Sequence, residues 1–382
     1  MASKTISRFI KSESSTGMLL LICVITSLAI ANSPLGIHFE RILHTSIGFQ
    51  SSDIDLKFSV LNWINDGLMS IFFFLVGLEI KHELSDGHLS SFKTASVPVF
   101  AAIGGAIVPA IIFISINHGG DTARGWGIPM ATDIAFALGV LSLLGKRVPP
   151  SLKVFLTTLA VVDDLLAIVV IALFYTSELH SVYLFSGLGI FLFLLMLNKL
   201  GVKRWPFYII PGIAMWYCIH HSGIHATISG VLLAATIPSK SVSGSPVKKA
   251  LDILVKPISF IIMPLFAIAN SNIILESGAF QNVMSSLGLG IFIGLVVGKP
   301  IGIVLLSWIT VRSKIGALSD GMKWTHITGI GLLAGIGFTM SIFISFLSFG
   351  DTVIDNEAKL SILIGSLLSG IIGIIYLKRV LQ

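Results

Sequence analysis

The chain has 382 residues, 54% of them hydrophobic and only 12% charged, with a mean hydropathy of +0.94. A soluble globular chain is close to a quarter charged, so the composition excludes that class and points to a polytopic membrane protein. The net charge of +6 reads as a topology signal and not a nucleic-acid footprint, because the basic residues lie between apolar runs; the two cysteines, both in apolar stretches, indicate neither a disulfide framework nor a metal cluster.

Apolar segments fall at about 17–31, 58–80, 94–116, 125–144, 151–175, 181–198, 205–220, 223–237, 251–269, 287–310, 326–349 and 360–377. About twelve transmembrane helices are therefore expected, in one polytopic domain covering 1–382. Placing the N-terminus in the cytoplasm puts only Arg41, Lys57, Arg124 and Lys359 outside. The rest of the 25 Lys and Arg residues fall inside, apart from Lys299 within a span. That asymmetry predicts both termini in the cytoplasm. Lys4, Arg8 and Lys11 ahead of an apolar run ending Ala29-Ile30-Ala31 also resemble a cleavable signal, and an uncleaved first span is preferred.

After the first segment, Gln50-Ser51-Ser52 is turn-like and Asp53 to Phe58 alternates polar with apolar, which predicts an outer β-hairpin. A hairpin edge can pair with a second copy, and packing on its own subunit is the alternative. Segment two carries Asp66 near its start and ends in Glu79, His82 and Glu83, at i, i+3 and i+4 on one face. Those three can shift one another's titration or form an ordinary solvated helix end. In segment four, Pro129 among glycines precedes Thr132 and Asp133, so a continuous helix is not expected.

Segment five holds adjacent acids, Asp163 and Asp164. Asp163 lies about 18 Å along a helix counted from Ser151, near the midplane of a core about 30 Å thick. A carboxylate there costs several kcal/mol unless it meets a cation, water or a partner, so paired acids suggest an ion or proton pathway. A salt bridge that fixes packing needs only one acid. Further on, His221 and His225 are four apart, but Gly223 between them argues against a zinc face. His225 is read either as a pH-responsive contact or as a hydrogen-bonded loop histidine. Lys299 sits about 18 Å into segment ten, at the depth of Asp163. Segment eleven is interrupted by Gly329, Gly331, Gly335 and Gly337, either as a break or for close helix packing.

Segments four and eleven are each the middle of a triplet, and the two triplets start on opposite sides. This pattern predicts inverted repeats whose interrupted helices cross near the bilayer midplane. Opposed helix ends there need an acid at the amides, for which Asp133 is placed, and a base at the carbonyls, for which Lys299 is placed.

Taken together, ATDIAFALGVLSLLG, LAVVDDLLAIVVIALFY, HSGIHATISGVLL, MPLFAIAN and VVGKPIG resemble the NhaA family of sodium/proton antiporters over nearly the whole chain. Inverted repeats are a known feature of that family, so the symmetry and the resemblance are one argument. The resemblance implies electrogenic exchange of one Na+ or Li+ outward for two protons inward, regulated by pH, across a bacterial inner membrane. It implies cation and proton binding at Asp163 and Asp164, with Thr132 and Asp133 at the helix crossing. Lys299 is then a charge balance or proton carrier, and Glu79, His82, Glu83, Asp252 and His225 belong to the pH response. It implies no cofactor and no enzyme activity; the partners are Na+, Li+, H+, membrane lipid and a second copy as homodimer, with no nucleic acid. Two departures touch the pH-response mouth: His82 stands where the family usually has arginine, and Asp252 where it has glutamate. A displaced pH profile is expected. A cation channel would need a continuous lined pore, and an intramembrane aspartyl protease two facing aspartates, which adjacent positions on one helix supply poorly.

Overall fold

Hydrocarbon offers no partner to a backbone N–H or C=O, so a long apolar run is stable there only when its peptide groups bond within the segment. The computed structural model is accordingly mostly helical, and it describes residues 13–52, 55–85, 87, 89, 92–176, 178–239, 245–275, 283–319 and 321–382. Lys4, Arg8, Lys11 and Lys240, and Asp53 with Ile54 of the expected hairpin, lie outside the described residues. The helices are α1 Glu13–Ala31, α2 Gly36–His44, α3 Val60–Ser85, α4 Phe92–Ile116, a 3-10 helix Asp121–Met130, α5 Ile134–Ser142 and α6 Pro150–Phe174. They continue with α7 Ser181–Lys199, α8 Pro206–His221, α9 Thr227–Thr236, α10 Pro246–Asn270, α11 Ser286–Arg312, α12 Trp324–Ala334, α13 Phe338–Phe349 and α14 Val353–Val380.

Among the described residues, seven helices are long and apolar enough to cross a membrane, and ten spans result if each of three bent pairs counts as one. Both α8 and α9 are shorter. One bend was not foreseen: α2 leaves α1 at 109°, and Gly36 makes this possible, since a Cβ there would lie 2.5 Å from the Ala31 carbonyl oxygen.

The helices group into two units, one from Met1–Ile25, His88–Ala167 and Ile273–Gln382, the other from Thr26–Gly87 and Ile168–Asn272. In the first, α4 and α11 cross at backbone distance. A Cβ on Gly104 would sit 2.1 Å from the Gly302 carbonyl oxygen, and one on Gly302 would sit 2.0 Å from that of Gly104. Alanine at either glycine is therefore expected to cost about 1–3 kcal/mol by overpacking. Alanine at Gly189, whose Cβ would meet nothing within 4 Å, leaves stability unchanged or slightly raised. Melting temperature in detergent separates the two outcomes.

The second unit has a core of Leu78, Leu194, Tyr208, Met215, Ile219 and Ala234, from α3 and α7–α9. Lys81 donates to Ala235 O at 2.6 Å and Ile237 O at 2.5 Å, so the last carbonyls of α9 are satisfied by a side chain from α3. On α7 and α8, Val182, Phe185, Leu192 and Ile210 are more than 60% exposed, an outward face suited to hydrocarbon.

The hairpin is present, with its ladder displaced from the expected strand. Strand β1 Ser46–Ile47 pairs antiparallel with β2 Phe58–Ser59, and Gln50 bridges to Asp55. Side chains of the same unit set this register. Trp63 Nε1 donates to Ile47 O at 2.9 Å, the Asp55 N–H lies 3.4 Å from the Tyr217 hydroxyl, and His221 Nε2 is 3.1 Å from Asp55 O. Lys359, expected in an outer connection, instead lies inside α14 and is buried. It pairs with Asp355 at 2.6 Å, and Ser345 Oγ donates to the same carboxylate at 2.5 Å. The ion pair lies within α14, and the Ser345 hydroxyl on its carboxylate ties it to α13, so Lys359 is not a loop charge.

Candidate functional site

Two breaks organise the first unit. The 3-10 helix Asp121–Met130 gives way to extended backbone at Ala131 and Asp133, and α5 sets off 41° from it. Pro129, which lacks an N–H and fixes its own φ, contributes to ending regular helix there. Across residues 335–337, α12 and α13 meet at 47°. Every helix end leaves carbonyls or amides without intrahelical partners, and here four such ends come together.

Asp133 serves the amide ends. Its N–H donates to Ile336 O at 2.7 Å, joining the two breaks directly. Its Oδ1 accepts from Phe136 N at 2.9 Å, while Oδ2 accepts from Thr339 N at 3.2 Å and from the Thr339 hydroxyl at 2.5 Å. One buried carboxylate thus caps the first turns of both α5 and α13, where the helix dipoles favour negative charge.

Lys299 serves a carbonyl end. Pro300 cannot donate a backbone hydrogen bond, and the helix widens to a π turn over Gly294–Gly298, with Lys299 N–H reaching back to Gly294 O. The Lys299 ammonium donates to Met130 O, at the end of the 3-10 helix, and to Asp163 Oδ2 at 2.5 Å, with both side chains buried. Thr132 Oγ1 lies 2.6 Å from the same Asp163 oxygen and 3.0 Å from Ala334 O, so its single proton serves one of them at a time. Asp163 Oδ1 is buried and takes no hydrogen bond among the described residues. Asp164 is 3% exposed and lies within electrostatic range of Lys299.

The arrangement offers hard oxygen donors, the two aspartates and a hydroxyl, which suit a small hard cation or a proton. A cation reaching Asp163 competes with the Lys299 ammonium for Oδ2, while Oδ1 is free to bind. Thr132, Asp133, Asp163, Asp164 and Lys299 are thus brought together. Sequence reasoning missed Thr339, whose hydroxyl closes the Asp133 cap, and the Met130, Ala334 and Ile336 carbonyls. The signal for Thr339 was available: a threonine follows the second break as Thr132 accompanies the first. Main-chain acceptors leave no residue-type signal.

The other candidates lie in the second unit. Glu79 and Glu83 interact electrostatically one turn apart near the end of α3, with His82 half-buried beside them. Asp252 is exposed on α10, and among the described residues no hydrogen bond or ion pair joins it to that cluster. His225 is half-buried between α8 and α9, hydrogen-bonded to the Tyr175 backbone, with Nε2 unpartnered. Gly223, at φ +88°, breaks the helix between it and His221, so the two rings share no helix face.

This geometry can be set beside known proteins. The family model described as Na+/H+ antiporter 1 matches residues 7–377. The Na(+)/H(+) antiporter NhaA 2 of Flavobacterium johnsoniae is 54% identical over 377 residues, covering 98% of this chain and 92% of the relative. NhaA of Flavobacterium psychrophilum is 49% identical over 375 residues, with 98% and 96% covered, and NhaA of Dechloromonas aromatica is 49% identical over 381 residues, again with 98% and 96% covered. With a family model that spans almost the whole chain and relatives near half identity along more than nine tenths of their length, this chain belongs to the NhaA family of Na+/H+ antiporters.

Proposed function

We propose that this chain exports one Na+ or Li+ in exchange for two imported protons, so that each cycle moves net charge. The observation that carries the reading is Asp163, a buried carboxylate with one oxygen shared by Lys299 and Thr132, the other oxygen open, and a second acid beside it. A proton and a small hard cation compete for the same oxygens, so a cation binds only as protons leave. Alternating access then makes the exchange obligatory, and two coupled acids titrating as a pair allow two protons per cation. Lys299 balances charge when the cation is absent and is the candidate for carrying one of the protons.

On this reading the whole chain is one transport domain of twelve membrane segments, with α5 and its 3-10 partner, and α12 with α13, as two interrupted spans crossing near the midplane. It lies in a bacterial inner membrane with both termini cytoplasmic, as the distribution of Lys and Arg suggests, and works as a homodimer. Activity rises with pH, and Glu79, His82, Glu83, Asp252 and His225 set where it rises.

In proteoliposomes holding a pH gradient, NaCl and LiCl are expected to collapse the gradient between about pH 6 and 9, a window spanning histidine titration, while KCl does not. An imposed membrane potential alters the rate if two protons exchange for one cation. Folded protein that moves no protons with any cation at any pH would overturn the reading.

A further inference from the structure

Neutral oxygens gather at one end of the second unit. Asn65 and Asn270 are both fully buried and exchange hydrogen bonds, Asn65 Nδ2 to Asn270 Oδ1 at 3.2 Å and Asn270 Nδ2 to Asn65 Oδ1 at 2.8 Å. Each amide oxygen keeps a second lone pair. The two residues after Asn270 add Ser271 Oγ and Asn272 Oδ1, both buried and neither with a hydrogen-bond partner among the described residues. An orphaned buried polar atom is costly, so two at consecutive positions need a reason.

The backbone supplies a second observation. Regular helix stops at Asn270, which leaves the carbonyl end of the long helix α10, with its partial negative charge, beside these oxygens. Asn65 for its part lies in a π turn, Trp63–Leu68. The π turns at Ile258–Ile262 and Gly294–Gly298 each stand just ahead of a proline, Pro264 and Pro300, whose missing N–H accounts for them. No proline follows Trp63–Leu68 until Pro98. A π turn without that cause is a frequent mark of a functional site. The adjacent carboxylate of Asp66 is directed to His220, at 3.8 Å, so the cluster itself carries no charge.

We propose that Asn65, Asn270, Ser271 and Asn272 form a second, neutral site for a small hard monovalent cation, Na+ or Li+, separate from Asp163 and Asp164. The inference rests on the exchanger reading in taking Na+ as cargo, and on the proposed orientation in placing the site on the outer side, opposite the Glu79 end of α3. None of the four ligands titrates. The cation is held there without competition from protons, as a holding site for cargo arriving from the outer solvent.

The test uses full-length protein. A paired change, Asn65→Leu with Asn270→Leu, replaces both partners by apolar groups of similar shape, which keeps the cost to folding small; Ser271→Ala is the milder variant and removes one orphaned oxygen. Radiolabelled Na+ binding to Asp163→Asn/Asp164→Asn/Lys299→Met protein shown to be folded is expected to be saturable, displaced by Li+ and not by K+, and lost with the leucine pair. No such binding overturns the site. In uniformly oriented proteoliposomes the leucine pair is expected to raise the half-saturating outer Na+ about tenfold, the loss of roughly 1.4 kcal/mol of coordination, with the inner value and maximal rate unchanged. Ser271→Ala raises only the outer value, and by less. Equal shifts on both faces, or none, in variants that melt normally overturn the proposal. If the unmodified protein binds Na+ at this site yet exchanges nothing, the exchanger reading fails and the site stands.

Discussion

Asp163→Asn is expected to abolish Na+- and Li+-driven proton movement at every pH and to make the protein markedly less stable. The two effects have separate causes. Transport is lost because the amide neither titrates nor offers the negative oxygen that a cation and a proton contest. Stability falls because Lys299 is completely buried and donates to the Asp163 carboxylate at 2.5 Å. Removing one member of a buried ion pair strands the other charge, at a cost of about 3–5 kcal/mol. Replacing both members by uncharged groups avoids that penalty, so Asp163→Asn combined with Lys299→Met is expected to recover much of the melting temperature and none of the exchange. Melting curves in detergent with the proteoliposome assay on the same preparations read both quantities. Exchange persisting in the single variant would remove Asp163 from the site. A double variant as unstable as the single would show that the stranded lysine was not the cause.

That pair also marks how far the sequence could be read. An equal distance of Asp163 and Lys299 along their apolar runs was expected from 1.5 Å of rise per residue, because polar residues set the ends of both runs. Depth alone could not say that they touch. A π turn, Gly294–Gly298, stands just before Lys299, and Pro300 was the only hint of it. Pro129 and the segment-eleven glycines marked the two breaks, since a residue that cannot donate, or that permits close approach, interrupts a periodic pattern visibly. The acceptors at those breaks, Met130, Ala334 and Ile336, are main-chain oxygens and carry no residue-type signal. Lys359 misled for the opposite reason. A basic residue next to a connection reads as a topology charge until a partner such as Asp355, one turn earlier on the same helix, is seen to bury it.

Asp133→Ala is expected to weaken cation binding and stability together, although Asp133 has no basic partner in any ion pair among the described residues. Its charge is balanced by the first turns of two helices, through Phe136 N on α5 and through Thr339 N and Oγ1 on α13. Alanine leaves those donors unpaired in a buried site, where each lost cap costs about 0.5–2 kcal/mol. It also loosens the junction of the two breaks, which keeps the main-chain bond from Asp133 N to Ile336 O and the contact of the Thr132 hydroxyl with Ala334 O. Thr132, the preceding residue, lies 2.6 Å from Asp163 Oδ2, so a shift in the first break reaches the cation oxygens without any direct contact from Asp133. The half-saturating Na+ is therefore expected to rise about tenfold, the equivalent of roughly 1.4 kcal/mol. Asp133→Asn keeps one acceptor oxygen and loses the charge that the helix ends favour, so it falls between wild type and alanine in both readouts. Thr339→Val, which removes only the hydroxyl donor, lowers melting temperature by less than alanine at 133 and moves the Na+ dependence in the same direction. A graded series from wild type through asparagine to alanine identifies Asp133 as the cap that positions the site. If Asp133→Ala abolishes exchange while leaving the melting temperature unchanged, Asp133 is itself a cation ligand and the capping account is wrong.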